Sequence, residues 1–210
     1  MTEDGISIKW IVISYYTVGT GYETEIEKLR RSLNLFQLPH YIEGIKSRGS
    51  WVENVHYNNE LILKAFDMFP DKAIVSLDAD AVVERYPALF DTLDCDFAAH
   101  MHTWKSGRVE LLCSTMYWQG NETTRAFLRD VITRHKSYPR ETQQPGMLAT
   151  LKQWGDRIKY QSLPPQYARI FDLMESVKFP VINQYQASRR FRKEVNRAGM
   201  PKQITTRDIK

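Results

Sequence analysis

Two aspartates one residue apart, Asp78 and Asp80, stand in the stretch AIVSLDADAVVERYP, where one apolar run ends and another begins. Charges left unpaired in such surroundings are costly, so a partner is expected. Two carboxylates at a strand end can share a divalent cation through oxygen, and Mg2+ or Mn2+ suits such ligands while leaving positions open for phosphate. The competing reading is that both aspartates cap the following turn by accepting from backbone amides. A second pair of the same spacing, Asp94 and Asp96 in LDCDFAAH, precedes a strand instead of ending one. Ligands of open α/β sheets gather at the carboxyl ends of strands, so only Asp78 and Asp80 are placed for chemistry. His100 and His102, in AAHMHTW, share a face of a strand. A zinc site would need further ligands, so this pair reads as a substrate-side or surface feature. Cys95 and Cys113 lack the spacing of a zinc site or a disulfide framework and read as reduced thiols of a cytoplasmic protein.

The elements that must position these groups alternate along the chain. ISIKWIVISYY is strand-like, and GYETEIEKLRRSLNLF follows with Tyr22, Ile26, Leu29 and Leu33 at helical spacing. HYIEGI is a second strand. SWVENVHYNNELILKAFDMF is a helix capped by Ser50, with Trp51, Val55, Ile62, Phe66 and Phe69 expected along one face. KAIVSL is a third strand, and YPALFDTL a short helix with Pro87 near its first turn. This βαβαβ opening is the signature of an α/β sheet. Behind it, DFAAHM and VELLCSTMYWQ read as strands, NETTRAFLRDVITRHK and QPGMLATLKQW as helices, and RIKYQSL as a strand. An irregular stretch rich in Pro, Tyr and Arg closes the chain.

The 210 residues, 42% hydrophobic and 12% aromatic, suffice for one good core. A single domain over 1–193 with a basic tail over 194–210 is expected. The acidic start MTEDG is unlike the positive region of a signal peptide, which points to a soluble, cytoplasmic protein. From Arg189 onward eight basic residues face only Glu194 and Asp208, so the net charge of +4 resides in the end of the chain.

Taken together, the order of elements, the helix opening GSW, the strand ending in DAD and the following VVERYPALF resemble the GT-A nucleotide-diphospho-sugar glycosyltransferases. LLCSTMYWQGNETTRAFLRDVI and LPPQYARIFD with PVINQYQASRRFRK resemble later parts of that family, so the likeness runs from about Ile8 to Lys193. The resemblance implies a mixed, mainly parallel α/β sheet flanked by helices and a nucleotide-sugar donor, usually a uridine diphosphate sugar. Mapped by position, it implies that Asp80 holds Mn2+ or Mg2+, and that Asp78 meets the donor ribose or the metal through water. It implies Tyr15, Tyr16 and Thr17 around the base and Trp51 and Asn58 near nucleotide or phosphates; Ser114 is a further candidate donor-binding residue. The basic end has three readings: a solvated tail, a lid in which Arg189 and Arg190 close over the diphosphate, or a hold on a polyanionic acceptor. Trp51 also has a plain reading as core. Three departures from the pattern stand out, over four positions. Asn58 and Asn59 stand where a Lys is expected, Gln184 where metal-binding relatives carry His, and Gln143 where an acid usually precedes Gln144.

The implied reaction needs a stabilised leaving diphosphate and a group that tolerates positive charge at the anomeric carbon. The resemblance leans to retention, with Gln144 nearest the sugar; Asp172 and Glu141 are the candidates for a base in an inverting enzyme. The acceptor stays open between saccharide, protein and DNA, including hydroxymethylated bases held through the basic tail. A metal-dependent nuclease or phosphotransferase would want further acids near Asp78, and Glu84 is the one at hand. A non-catalytic nucleic-acid-binding module would leave the paired aspartates without a role.

Overall fold

The computed structural model describes residues 8–191. Strands β1 (Trp10–Thr17), β2 (His40–Ile45) and β3 (Ala73–Leu77) run parallel, linked by helices α1 (Tyr22–Leu35) and α2 (Trp51–Met68). Beyond β3 the chain enters β4 (Ala81–Val83) and a single 3-10 turn over Ala88–Asp91. It returns as β5 (Phe97–Thr103) and β6 (Val109–Trp118), a long hairpin. Helices α3 (Glu122–Ser137) and α4 (Gln143–Trp154) then lead to β7 (Tyr160–Ser162), β8 (Arg169–Ile170), β9 (Ile182–Gln184) and the four-residue α5 (Ala187–Arg190). The main sheet has the order β2-β1-β3-β6-β5-β7, with β6 antiparallel to both its neighbours; β4, β9 and β8 form a small second sheet.

Local chemistry explains the helix starts. Ser50 accepts from Glu53 N while the Glu53 carboxylate accepts from Ser50 N, a reciprocal cap for α2. Asn121 caps α3 through Thr124 N. On one face of the main sheet α1 lays Ile26, Leu29 and Leu33 on Trp10, Val12 and Val75; on the other, α2, α3 and α4 enclose Ile13, Ile74, Phe97, Trp118 and Phe127. Among the described residues no helix is long and apolar enough to cross a membrane.

Three expectations change. The stretch after Asp80 is a strand of a second sheet, and the irregular close of the chain contains two more strands of it. RIKYQSL pairs over only Tyr160–Ser162. The buried face of α2 runs through Val52, Asn58, Asn59, Ile62 and Phe66, leaving Trp51 and Val55 half-buried. Polar residues occupy that face because each finds a partner, described below.

Candidate active site

The carboxyl end of β3 is where the two sheets are stitched together. Asp78 N donates to Ser114 O on β6 (3.1 Å), Tyr185 N donates to Asp80 O (3.2 Å), and Ala187 N donates to Asp80 Oδ2. Asp80 is only 7% exposed, whereas Asp78 opens to solvent. Crowding by the protein raises both carboxyls above the usual range. The adjoining Asp80 charge raises Asp78 further, and the Ala187 amide partly offsets the rise at Asp80. Two carboxylates so held are more stable with a cation between them.

Opposite them β6 is irregular. Its pairing with β5 jumps from Ala99–Met116 to His100–Leu112, so Cys113, Ser114 and Thr115 bulge at the level of Asp78. Gln184 pins this bulge: its Nε2 donates to Ser114 O (3.2 Å) and to Thr115 Oγ1 (3.0 Å). Ser114 O can only accept, so the amide nitrogen must face it, and Oε1 is left as a buried acceptor with no donor. Six buried side-chain polar atoms lack a partner among the described residues. Four of them, on Ser114, Arg169, Asp172 and Gln184, belong to strands and loops at this edge. Buried polar atoms are normally satisfied, so this edge carries most of the unmet hydrogen-bonding capacity among the described residues. The available donors, two carboxylates and one amide oxygen, are hard oxygens and fit Mg2+ or Mn2+. Among the described residues no group of three or more His, Cys, Asp or Glu side chains is placed to hold a metal ion.

The other expected residues distribute around this centre. Tyr15 and Tyr16 are half-buried at the end of β1 and Thr17 is buried. The Tyr15 hydroxyl donates to Asn54 O (2.8 Å), its ring meets Tyr57 edge-on, and burial followed by the charge of Asp78 raises its pKa well above 10. Asn58 is buried and its Oδ1 accepts from Ser76 Oγ (2.8 Å), beneath the sheet. Gln144 is half-buried in the first turn of α4. Asp172 is joined by Arg189, and Arg190 by Glu25 (2.9 Å), which is 3% exposed and also meets Lys28. Both arginines are thus engaged in ion pairs, flanking a cavity of about 590 Å3 whose walls include Lys28, Phe171 and Tyr185. The tail over 194–210 lies outside the described residues.

Two of the departures noted above turn out to touch. Gln143 Nε2 donates to Asn59 Oδ1 (3.1 Å), and Asn59 Nδ2 donates to His135 Nδ1 (3.3 Å), whose ring stacks on His56 at 3.8 Å. Both side chains are neutral amides, and their hydrogen bond ties the start of α4, where Gln144 sits, to α2. Glu25, Thr115 and Ala187 carry no local sequence signal; only the tertiary contacts bring them to this edge.

Neither protein-family models nor curated proteins match the sequence. Solved structures do. A glycosyltransferase involved in glycosylation of the major capsid of PBCV-1 superposes with a TM-score of 0.65 at 17% identity, covering 88% of this chain and 98% of that one. The glycosyltransferase GlyE of Streptococcus pneumoniae TIGR4 gives 0.60 at 14% identity, over 85% of this chain and 55% of its own length. The galactosyltransferase LgtC, in complex with donor and acceptor sugar analogs, gives 0.54 at 9% identity over 94% and 98% of the two chains. The chain has the GT-A fold of the nucleotide-sugar glycosyltransferases.

Proposed function

We propose that this protein transfers a sugar from a nucleotide diphosphate donor, a uridine diphosphate sugar by the resemblance, to an acceptor hydroxyl with retention of configuration. The observation that carries the proposal is the gathering of Asp78, Asp80 and the unpartnered buried oxygens of Ser114 and Gln184 at the carboxyl edge of β3. Asp78, Asp80 and Gln184 Oε1 would hold Mg2+ or Mn2+, which when bound supplies Lewis-acid stabilisation to the leaving diphosphate. Tyr15, Tyr16 and Thr17 border the base, with Trp51 and Asn58 on the adjoining helix, and Ser114 lies beside the ribose carboxylate, Asp78. Arg190 reaches the diphosphate by exchanging Glu25 for phosphate, and Arg189 by leaving Asp172; this exchange closes the segment over the donor and excludes water. Gln144, anchored through Gln143 and Asn59, presents a neutral amide to the developing positive charge. Asp172, paired with Arg189 before donor binds, is the base in the inverting alternative.

The test is release of nucleoside diphosphate from a panel of nucleotide sugars with Mn2+, Mg2+ or chelator, followed by the anomeric configuration of the product. Metal-dependent release from one donor class with retained configuration supports the reading. Absence of release from every donor with either metal, by folded protein, overturns it.

A further inference from the structure

The β5–β6 hairpin overhangs the carboxyl edge of the sheet. Leu77 of β3 pairs with Thr115, and β6 extends five residues further back to Glu110, which pairs with His102. At a rise of about 3.4 Å per residue, His102 lies no more than about 17 Å along the strand from the Asp78 edge. On this hairpin His100, His102 and Trp104 alternate along one face, and Leu112, the partner of His100, packs with Ala168, Ile170 and Met174 and against Trp104. The face therefore looks toward the segment that carries Asp172.

Two hydrogen bonds fix the chemistry of that face. His100 Nδ1 lies 2.7 Å from Leu163 O, and His100 Nε2 lies 3.3 Å from His102 Nδ1. A carbonyl only accepts, so His100 carries its proton on Nδ1. His100 is buried and neither ring nitrogen meets a carboxylate, so its Nε2 is the unprotonated nitrogen and accepts from His102 Nδ1–H. His102 Nε2 is then a bare lone pair, with no partner among the described residues. Beside it, the Trp104 ring meets the imidazole edge-on at 4.2 Å and donates its Nε1–H to Glu110 (2.5 Å), whose other oxygen pairs with Arg108 (3.3 Å).

We infer that the Leu163–His100 relay locks His102 in the Nδ1–H tautomer, making Nε2 a hydrogen-bond acceptor for a hydroxyl of a saccharide acceptor seated against Trp104. The inference rests on the glycosyltransferase reading and adds the acceptor class to it. A bare nitrogen lone pair selects a hydroxyl donor, and an aromatic wall suits the apolar face of a sugar ring. His100 is the positioning residue and His102 the binding residue.

The experiment is long-range 15N NMR of the histidine side chains in the full chain near pH 7.5, alone and with methyl glycosides and disaccharides. The expected result is protonation on Nδ1 and not Nε2 at both His100 and His102, with the His102 Nε2 resonance shifting on addition of at least one sugar. His100→Phe, shown folded by its melting curve, should release His102 to a mixture of tautomers. An Nε2–H or doubly protonated His102 in the wild type overturns the relay. A locked tautomer that no sugar perturbs, or that double-stranded DNA perturbs instead, overturns the acceptor assignment. Nucleoside diphosphate release, measured in parallel without acceptor, reports separately on the donor reading.

Discussion

Asp78 and Asp80 leave β3 at its carboxyl end and cross into the second sheet, whereas Asp94 and Asp96, at the same spacing, lead into β5 from its amino end. The first pair is crowded by protein, with Asp80 7% exposed and held by the Ala187 amide. In the second, the Asp94 side chain is 96% exposed and pairs with Lys159, while Asp96 accepts from Asn121 Nδ2 (2.6 Å) and Lys159 N (2.8 Å). Spacing is therefore silent about chemistry. Position on the strand decides whether a carboxylate stands at the ligand-gathering edge of the sheet or ties two loops together.

The largest expected effect of breaking this contrast is at Asp80. Asp80→Asn keeps an oxygen for the Ala187 amide and removes the charge, so nucleoside diphosphate release should fall by about 100-fold or more while the melting temperature holds. Near-normal turnover at saturating donor would equate the two pairs.

The histidine pairs extend the comparison. His100 and His102 are joined by a hydrogen bond on the β5–β6 hairpin, whereas the His56 and His135 rings stack between α2 and α3. Burial, then the neighbouring His56, lowers His135 to about 4. The unfolded chain, with histidine near 6.5, therefore binds more protons between those values. Stability is fully present above about pH 6.5 and lost as pH falls toward 4, by at most about 3 kcal/mol. Denaturant melts at pH 7 and 4.5 measure this, and His135→Gln should show a smaller difference between them. An unchanged difference would remove His135 as its source.

A smaller effect sharpens what neutral pairing achieves. Gln143→Glu and Asn59→Lys should each destabilise, since each buries one unpaired charge, and the double variant should recover about 1 kcal/mol or more relative to additivity. Additive losses in a denaturant-based double-mutant cycle would mean that the two positions are not coupled. The smallest effect belongs to Asp94→Asn, which should change stability by less than about 0.5 kcal/mol and leave turnover alone.

How much of this was readable from residue types follows the range of the interactions. The opening strands and helices announce themselves because each is long enough to show a period, and the Ser50 cap is local. The placement of Asp78 and Asp80 follows from where an apolar strand ends. Strands β4, β8 and β9 span only two or three residues, too short for any period, and exist because they pair with one another. Asn59 on the buried face of α2 contradicts a hydrophobic stripe until Gln143, 84 residues away, supplies its partner. The tautomer of His102 depends likewise on Leu163 O, which a local pattern cannot place.

The account stands on Asp78 and Asp80 binding a nucleoside diphosphate through a divalent cation. Calorimetric titration of uridine diphosphate into the protein, with Mn2+ and with chelator, tests this most directly. Binding that requires Mn2+ and weakens at least about tenfold in Asp80→Asn is the predicted result. Equal binding by the wild type and Asp80→Asn, or no binding of any nucleoside diphosphate with either Mn2+ or Mg2+, would contradict it.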